Sequence, residues 1–183
     1  TVIHGGVYYG IYGGEAIVVD PANDPDIYSN WMSAAADLIG GPVSDERAAL
    51  RAVFKTVSDR MTYSENGVQA TLEKVAQLSA GRESRDGDKV DLSVFMHEGV
   101  GVCRHQALAC GFILEAFSSE GILRGETRVL RNAIKSPDPR ISGGHAWTQY
   151  TTPSGFNIVL DVAQNYIGSP DNSAETPWRY QLS

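Results

Sequence analysis

The stretch from Cys103 to Ser119 constrains the fold more than any other part of the chain. Read as a helix, it is apolar nearly all round: Ala107, Leu108, Ala109, Cys110, Phe112, Ile113, Leu114, Ala116 and Phe117 leave no continuous polar face. A helix without a polar face must be covered on every side, so this segment is expected at the centre of the fold. Gly121 is its expected stop. A chain of 183 residues is long enough to supply that cover within one domain. Its 42% hydrophobic and 20% charged residues are an ordinary globular balance.

The flanking segments suggest what does the covering. Upstream, Ala16 to Val19 is a candidate strand in a Gly- and Tyr-rich opening that otherwise reads as turns. Asp24-Pro25 opens a helix to Ile39, closed by Gly40-Gly41. Ser44 or Asp45 caps a second helix, whose Leu50, Val53, Phe54, Val57 and Met61 recur on one face. A third helix is expected from about Val68 to Ala80, then a charged, solvated loop from Arg82 to Lys89, then a short helix from Asp91 to Glu98 ending at Gly99. Downstream, Glu126–Ile134, Gly144–Thr151 and Phe156–Ala163 are strand-like, with Pro153-Ser154-Gly155 as a hairpin turn. Helices followed by antiparallel strands predict an α+β fold. The expected organisation is one domain over 1–183, with its core at about 44–163 and residues 1–43 as an extension of unassigned role.

Composition narrows the partners. A net charge of −7 without a basic cluster argues against nucleic acid and against an anionic membrane surface, both of which are bound through Lys and Arg. No apolar run has the roughly 18 residues of a membrane span. The opening residues are not expected to be a secretory leader, and a start at Thr1 suits a domain excised or processed from something longer. On a helix, Cys103 and Cys110 lie about 10 Å apart, beyond the reach of a disulfide, so both are expected as free thiols. Free thiols suit a reducing compartment such as the cytoplasm, or delivery into one.

Cys103 opens the buried helix after Gly99-Val100-Gly101-Val102. Unpaired N–H groups and partial positive charge at a helix N-terminus favour thiolate, the nucleophilic form, and the same N–H groups can hold an oxyanion. The glycines are expected to let a substrate backbone approach. A lone cysteine is otherwise a small buried hydrophobe, and position alone leaves both readings standing. Cys110, two turns further in, reads as packing. His145, at the start of a strand, and Asp161, in the apolar run Val159-Leu160-Asp161-Val162-Ala163, fall on strands joined by the hairpin and can be cross-strand neighbours. A carboxylate in an apolar strand needs a partner, and His145 is the expected one. His105 points away from Cys103 around the helix, which weakens joint metal ligation, and no known zinc spacing is present. Neither metal nor cofactor is expected. His97, Tyr63 and Asn66 are candidates for the cleft border, with a surface role favoured for His97. Trp147 is expected to pack beneath His145.

The segments Gly101-Val102-Cys103-Arg104-His105-Gln106-Ala107 and His145-Ala146-Trp147, with Asp161 on the next strand, resemble the nucleophile, His and Asp motifs of the transglutaminase-like superfamily. The resemblance runs from roughly Ser44 to Ala163. It implies a papain-like core, with the Cys-bearing central helix packed on an antiparallel sheet that carries His and Asp. It also implies thiol-dependent acyl transfer or hydrolysis at an amide of a protein or peptide: a transglutaminase, glutamine deamidase or cysteine protease. Cys103, His145 and Asp161 would be the catalytic triad. A second oxyanion donor would be required, with Gln69 and His97 as guesses. Many relatives place Pro-Thr after the Asp, where this chain has Val162-Ala163, so the subfamily stays open. Two other expectations remain: a secreted toxin or effector domain using the same chemistry on a target protein, and a non-catalytic binding module of the same fold. Thiol reactivity at neutral pH separates the last from the others.

Overall fold

A computed structural model describes residues 3–10, 13–41, 45–133, 144–171 and 180. The helices begin where local chemistry starts them. In α1 (Pro25–Ile39), Asp24 accepts the N–H of Ile27 at 3.4 Å and Pro25 occupies the first turn, where its missing N–H costs nothing. In α2 (Glu46–Arg60), Asp45 accepts the N–H of Arg47 at 2.9 Å; the alternative cap, Ser44, lies outside the described residues. The predicted face of α2 is inward: Leu50, Val53, Val57 and the capping Met61 are buried, and Phe54 is half-buried.

The third helix starts earlier than expected. α3 runs Glu65–Ala80 because Ser64 accepts the N–H of Gly67 at 2.9 Å, an N-cap that places acidic Glu65 in the first turn, where the helix dipole favours it. α4 (Leu92–Glu98) is capped by Asp91, and α5 (Cys103–Ser119) has the expected bounds.

The segment from Arg82 to Asp88 is the expected, mostly exposed loop, and only Lys89 departs from it. Arg82 binds Asp88 at 2.6 Å, Asp88 also accepts the N–H of Arg85, and Lys89 begins a strand, β4 (Lys89–Asp91). This strand pairs in parallel with β2 (Ala16–Val18), which pairs antiparallel with β1 (Val7–Tyr8). A second small pair joins β3 (Thr62–Tyr63) to β5 (Val100–Gly101) in parallel, with Tyr63 opposite Gly101. The helical half is therefore laced with short strands, and the fold is α+β with three sheets among the described residues.

The main sheet is an antiparallel meander of β6 (Glu126–Ala133), β7 (Gly144–Thr151), β8 (Asn157–Asp161) and β9 (Tyr166–Gly168). Ile134, the predicted end of the first strand, lies outside the described residues. β8 is shorter than predicted: Phe156 belongs to the turn, closed by Thr152 N–H donating to Phe156 O at 2.9 Å, and is largely exposed. Residues 162 and 163 form the turn into β9.

α5 lies against one face of this sheet. Thr148 Oγ1 donates to Ala107 O at 2.7 Å, and Tyr150 and Leu160 join the main core with Leu108, Ile113, Leu114 and Phe117. Every residue from His105 to Leu114 is buried. At about 1.5–3 kcal/mol for each large apolar side chain removed from water, this helix supplies much of the stabilisation of the core. The other face carries a smaller cluster of Trp147, Val159, Tyr166 and Tyr180. Ile3, Ile17, Val19, Tyr28, Trp31 and Ala35, which precede the segment covered by the family resemblance, are all buried in the main core. Gly111 shows how close this packing is: a Cβ there would meet Ile3 Cδ1 at 2.5 Å and Val129 Cγ2 at 2.9 Å.

Candidate functional site

The site forms where the N-terminus of α5 meets the start of β7. Val102 is the N-cap, extended at φ −114° and ψ −175°, and its carbonyl accepts the N–H groups of His105 (3.0 Å) and Gln106 (3.1 Å). Across the planar peptide, the Cys103 N–H therefore points the opposite way. Cys103 is partly exposed, whereas Cys110 is fully buried, and both are free thiols. Burial, with a smaller contribution from the charge of Asp161, pushes the Cys110 thiol well above its ordinary range, so it stays protonated and inert.

The glycines ahead of Cys103 have a packing role that the sequence did not suggest. A Cβ on Gly101 would meet Met61 Sδ at 2.5 Å and His105 Cβ at 2.8 Å. That glycine lets β5 press against the end of α2 and the first turn of α5.

His145 and Asp161 come together. The register Thr148↔Leu160 sets Asp161 diagonally across from His145, and His145 Nε2 lies 2.5 Å from Asp161 Oδ2. Both are buried, at 7% and 1% exposure. Asp161 is held from other directions too: Oδ2 accepts from Tyr180 Oη at 2.9 Å and Oδ1 from Gln164 N–H at 3.2 Å. Cys103 is near enough to His145 to influence how the ring titrates, and with Nε2 turned to Asp161 the nitrogen left for the sulfur is Nδ1. Burial pushes the imidazole down. The hydrogen bond to Asp161 and the nearness of Cys103, with the negative charge of both groups, outweigh that and bring it up to about 9. The ring thus holds a proton at neutral pH. Trp147 is fully buried and stacks on His145 with centroids 6.1 Å apart, packing beneath it as predicted.

Cys103 and His145 open into a cleft of about 520 Å³. One wall is Tyr63, half exposed, with Glu65 beside it. Another is Val129 with Arg131. The N-terminal segment adds a third, with Val7, Tyr8, Tyr9, Gly10 and Gly13. Burial, and then the charges of Cys103, Glu65 and Asp161, raise the Tyr63 phenol above its ordinary value, so it remains a hydroxyl donor facing the site.

Several sequence candidates are placed elsewhere. Gln69 binds Glu73 on the exposed side of α3 at 3.0 Å, and His97 pairs with Asp24 at 2.7 Å on the surface. Neither lines the cleft, which removes both as oxyanion donors, and Asn66 is also absent from the lining. His105 is fully buried and faces Glu15, not the cleft.

Three contributions escaped the sequence reading. The tyrosines of β1 and its flank lie in a stretch whose sequence reads as turns. Tyr180 lies far from any motif. Glu15 carried a usable signal, because it abuts the apolar run Ala16-Ile17-Val18-Val19, the same pattern that drew attention to Asp161. Compared with protein-family models and with curated protein sequences, the chain matches none.

Proposed function

We propose that this protein is a cysteine-nucleophile enzyme acting on amide carbonyls of a protein or peptide, with Cys103, His145 and Asp161 as its triad on a papain-like core. The observation that carries the reading is one imidazole, bound by Asp161 at Nε2 and lining the same cleft as Cys103. The order of elements supports it further: a buried helix opens on the cysteine, and consecutive antiparallel strands carry the His and the Asp.

Each group has a chemical task. In the reacting form the proton of Cys103 Sγ is carried by His145, and the sulfur attacks the amide carbon. The carbon–sulfur bond forms as the carbonyl pair moves onto oxygen, where the outward Cys103 N–H can receive it. The intermediate collapses, and the departing nitrogen takes the imidazolium proton and leaves as an amine or ammonia. Water or a second amine then attacks the thioester, His145 accepts its proton, and the sulfur departs. Asp161 keeps the ring oriented and stabilises its charge in both halves. Tyr63, which faces the same cleft, is well placed for the second oxyanion contact.

The test is mass spectrometry of a protein mixture incubated with the enzyme and a primary amine. Peptide cleavage, a one-unit rise at glutamine or amine incorporation would each identify the reaction, and each should vanish in Cys103→Ala. No change in any of the three, or changes that persist in Cys103→Ala, would end the proposal.

A further inference from the structure

A second buried acid–imidazole pair sits directly behind the nucleophile and plays no part in the steps above. Glu15 is 2% exposed and His105 fully buried. His105 Nε2 and Glu15 Oε1 are 2.7 Å apart, and neither atom has another described partner, so they can satisfy only each other. The other carboxylate oxygen binds Arg104 at 2.6 Å, and Arg104 also donates to the Glu15 carbonyl at 3.0 Å. On its far side, His105 Nδ1 accepts the N–H of Val102 at 3.1 Å. The ring is wedged against Phe95, with centroids 4.1 Å apart.

These contacts settle the state of the ring. Burial drives His105 below its ordinary value, against the pull of Glu15, so it is a neutral imidazole. An Nδ1 that accepts from Val102 carries no hydrogen, so the proton lies on Nε2, towards Glu15. Glu15, pushed up by burial, is held on balance below the ordinary carboxylate range by His105 and Arg104. The carboxylate thus selects the tautomer, and the tautomer supplies the acceptor for Val102 N–H. With the Val102 carbonyl already held by two amides, both polar groups of the residue before Cys103 are fixed. The reciprocal arm of a capping box works in the same way, with a residue at the third helical position reaching back to the N-cap amide.

We infer that Glu15 and His105 are positioning residues for the proposed reaction: through Val102 they aim the Cys103 N–H at the oxyanion. The inference rests on the reading of Cys103 as nucleophile. It also gives the N-terminal segment a task, since Glu15 joins the strand that continues the cleft wall to the first turn of α5.

Two reactions of the same sulfur separate this role from general scaffolding. Acetylation by 4-nitrophenyl acetate passes through a tetrahedral oxyanion and releases 4-nitrophenolate. Alkylation by iodoacetamide forms its carbon–sulfur bond at a methylene carbon, expels iodide, and develops no oxyanion. His105→Met, which fills the space without an acceptor, should slow acetylation about tenfold or more, a fraction of what loss of a whole oxyanion donor costs. Alkylation should stay within about threefold, because the acceptor is not part of that transition state. His105→Gln, whose amide oxygen can take the Val102 N–H, should restore most of the acetylation rate. Where His105→Met does not fold, Glu15→Met is read instead, because it frees the ring to adopt the other tautomer, and the same drop in the ratio is expected. An unchanged ratio in the folded variant, or equal slowing of both reactions that His105→Gln does not reverse, overturns the positioning role alone, provided Cys103→Ala shows no burst. A stoichiometric nitrophenolate burst from Cys103→Ala overturns the nucleophile itself, and the positioning role with it.

Discussion

Replacing Asp161 by Asn tests the polar architecture at its most connected point. The carboxylate is 1% exposed and accepts from three donors: His145 Nε2 (2.5 Å), Tyr180 Oη (2.9 Å) and Gln164 N–H (3.2 Å). An amide has one oxygen to offer. If that oxygen faces His145 and Tyr180, the NH2 group confronts the Gln164 N–H. If the amide flips, the NH2 group faces Nε2 and favours the tautomer with its hydrogen on Nδ1, which then cannot accept from Cys103. Asp161 is the leading contributor among those that lift the imidazole from 6.5 to about 9. At 1.36 kcal/mol per unit, that lift corresponds to roughly 3 kcal/mol favouring the protonated ring, an upper bound for Asp161 because Cys103 shares in it. Turnover should therefore fall by about 10²–10⁴. Stability should fall by about 1–3 kcal/mol for the group left without a partner. The assay pairs the 4-nitrophenyl acetate burst with a thermal melt, and Cys103→Ala serves as the control that abolishes the burst and barely moves the melt. Near-normal activity in Asp161→Asn would refute the assigned role. A variant that unfolds while Cys103→Ala does not would make Asp161 structural and leave a Cys–His dyad.

Iodoacetamide at neutral pH should label Cys103 far faster than Cys110, because only Cys103 meets both the cleft and an imidazole, and peptide mapping reads the two sites separately; faster labelling of Cys110 would contradict the site. His145 should titrate by NMR near 9 in the folded protein. Because that value is raised from 6.5, the pairing stabilises fully below about pH 6.5 and is lost as pH rises through about 9, so the melting advantage over Asp161→Asn should shrink across that window; titration near 6.5 would refute the pairing. Gly101→Ala should destabilise by about 1–3 kcal/mol, because its Cβ would meet Met61 and His105 below 3.0 Å, and a chemical-denaturation midpoint unchanged from the parent would show that β5 has room to move.

What the sequence alone determined about this protein is what neighbouring residues decide between themselves. Asp24 and Asp45 start helices because a side chain two or three residues away from an N–H can reach it, and Pro153-Ser154-Gly155 turns the chain for equally local reasons. The all-apolar stretch after Cys103 is central whatever its partners are, because no arrangement in water tolerates it elsewhere. Even the meeting of His145 and Asp161 was foreseeable, since one short turn and the two-residue period of a strand set their offset. Only the tertiary structure decided the rest. β4 forms because β2 offers it a parallel partner far away in the chain, and a parallel pair has no local turn to announce it. The N-terminal tyrosines wall the cleft because Glu15 finds Arg104 and His105 on a helix they do not adjoin in sequence. Tyr180 reaches Asp161 by packing on Tyr166, with ring centroids 5.4 Å apart. Periodicity and capping carry information over a few residues. Contacts of this kind are set by the global solution that buries α5 on every side, and they exist only once the whole chain has closed around it.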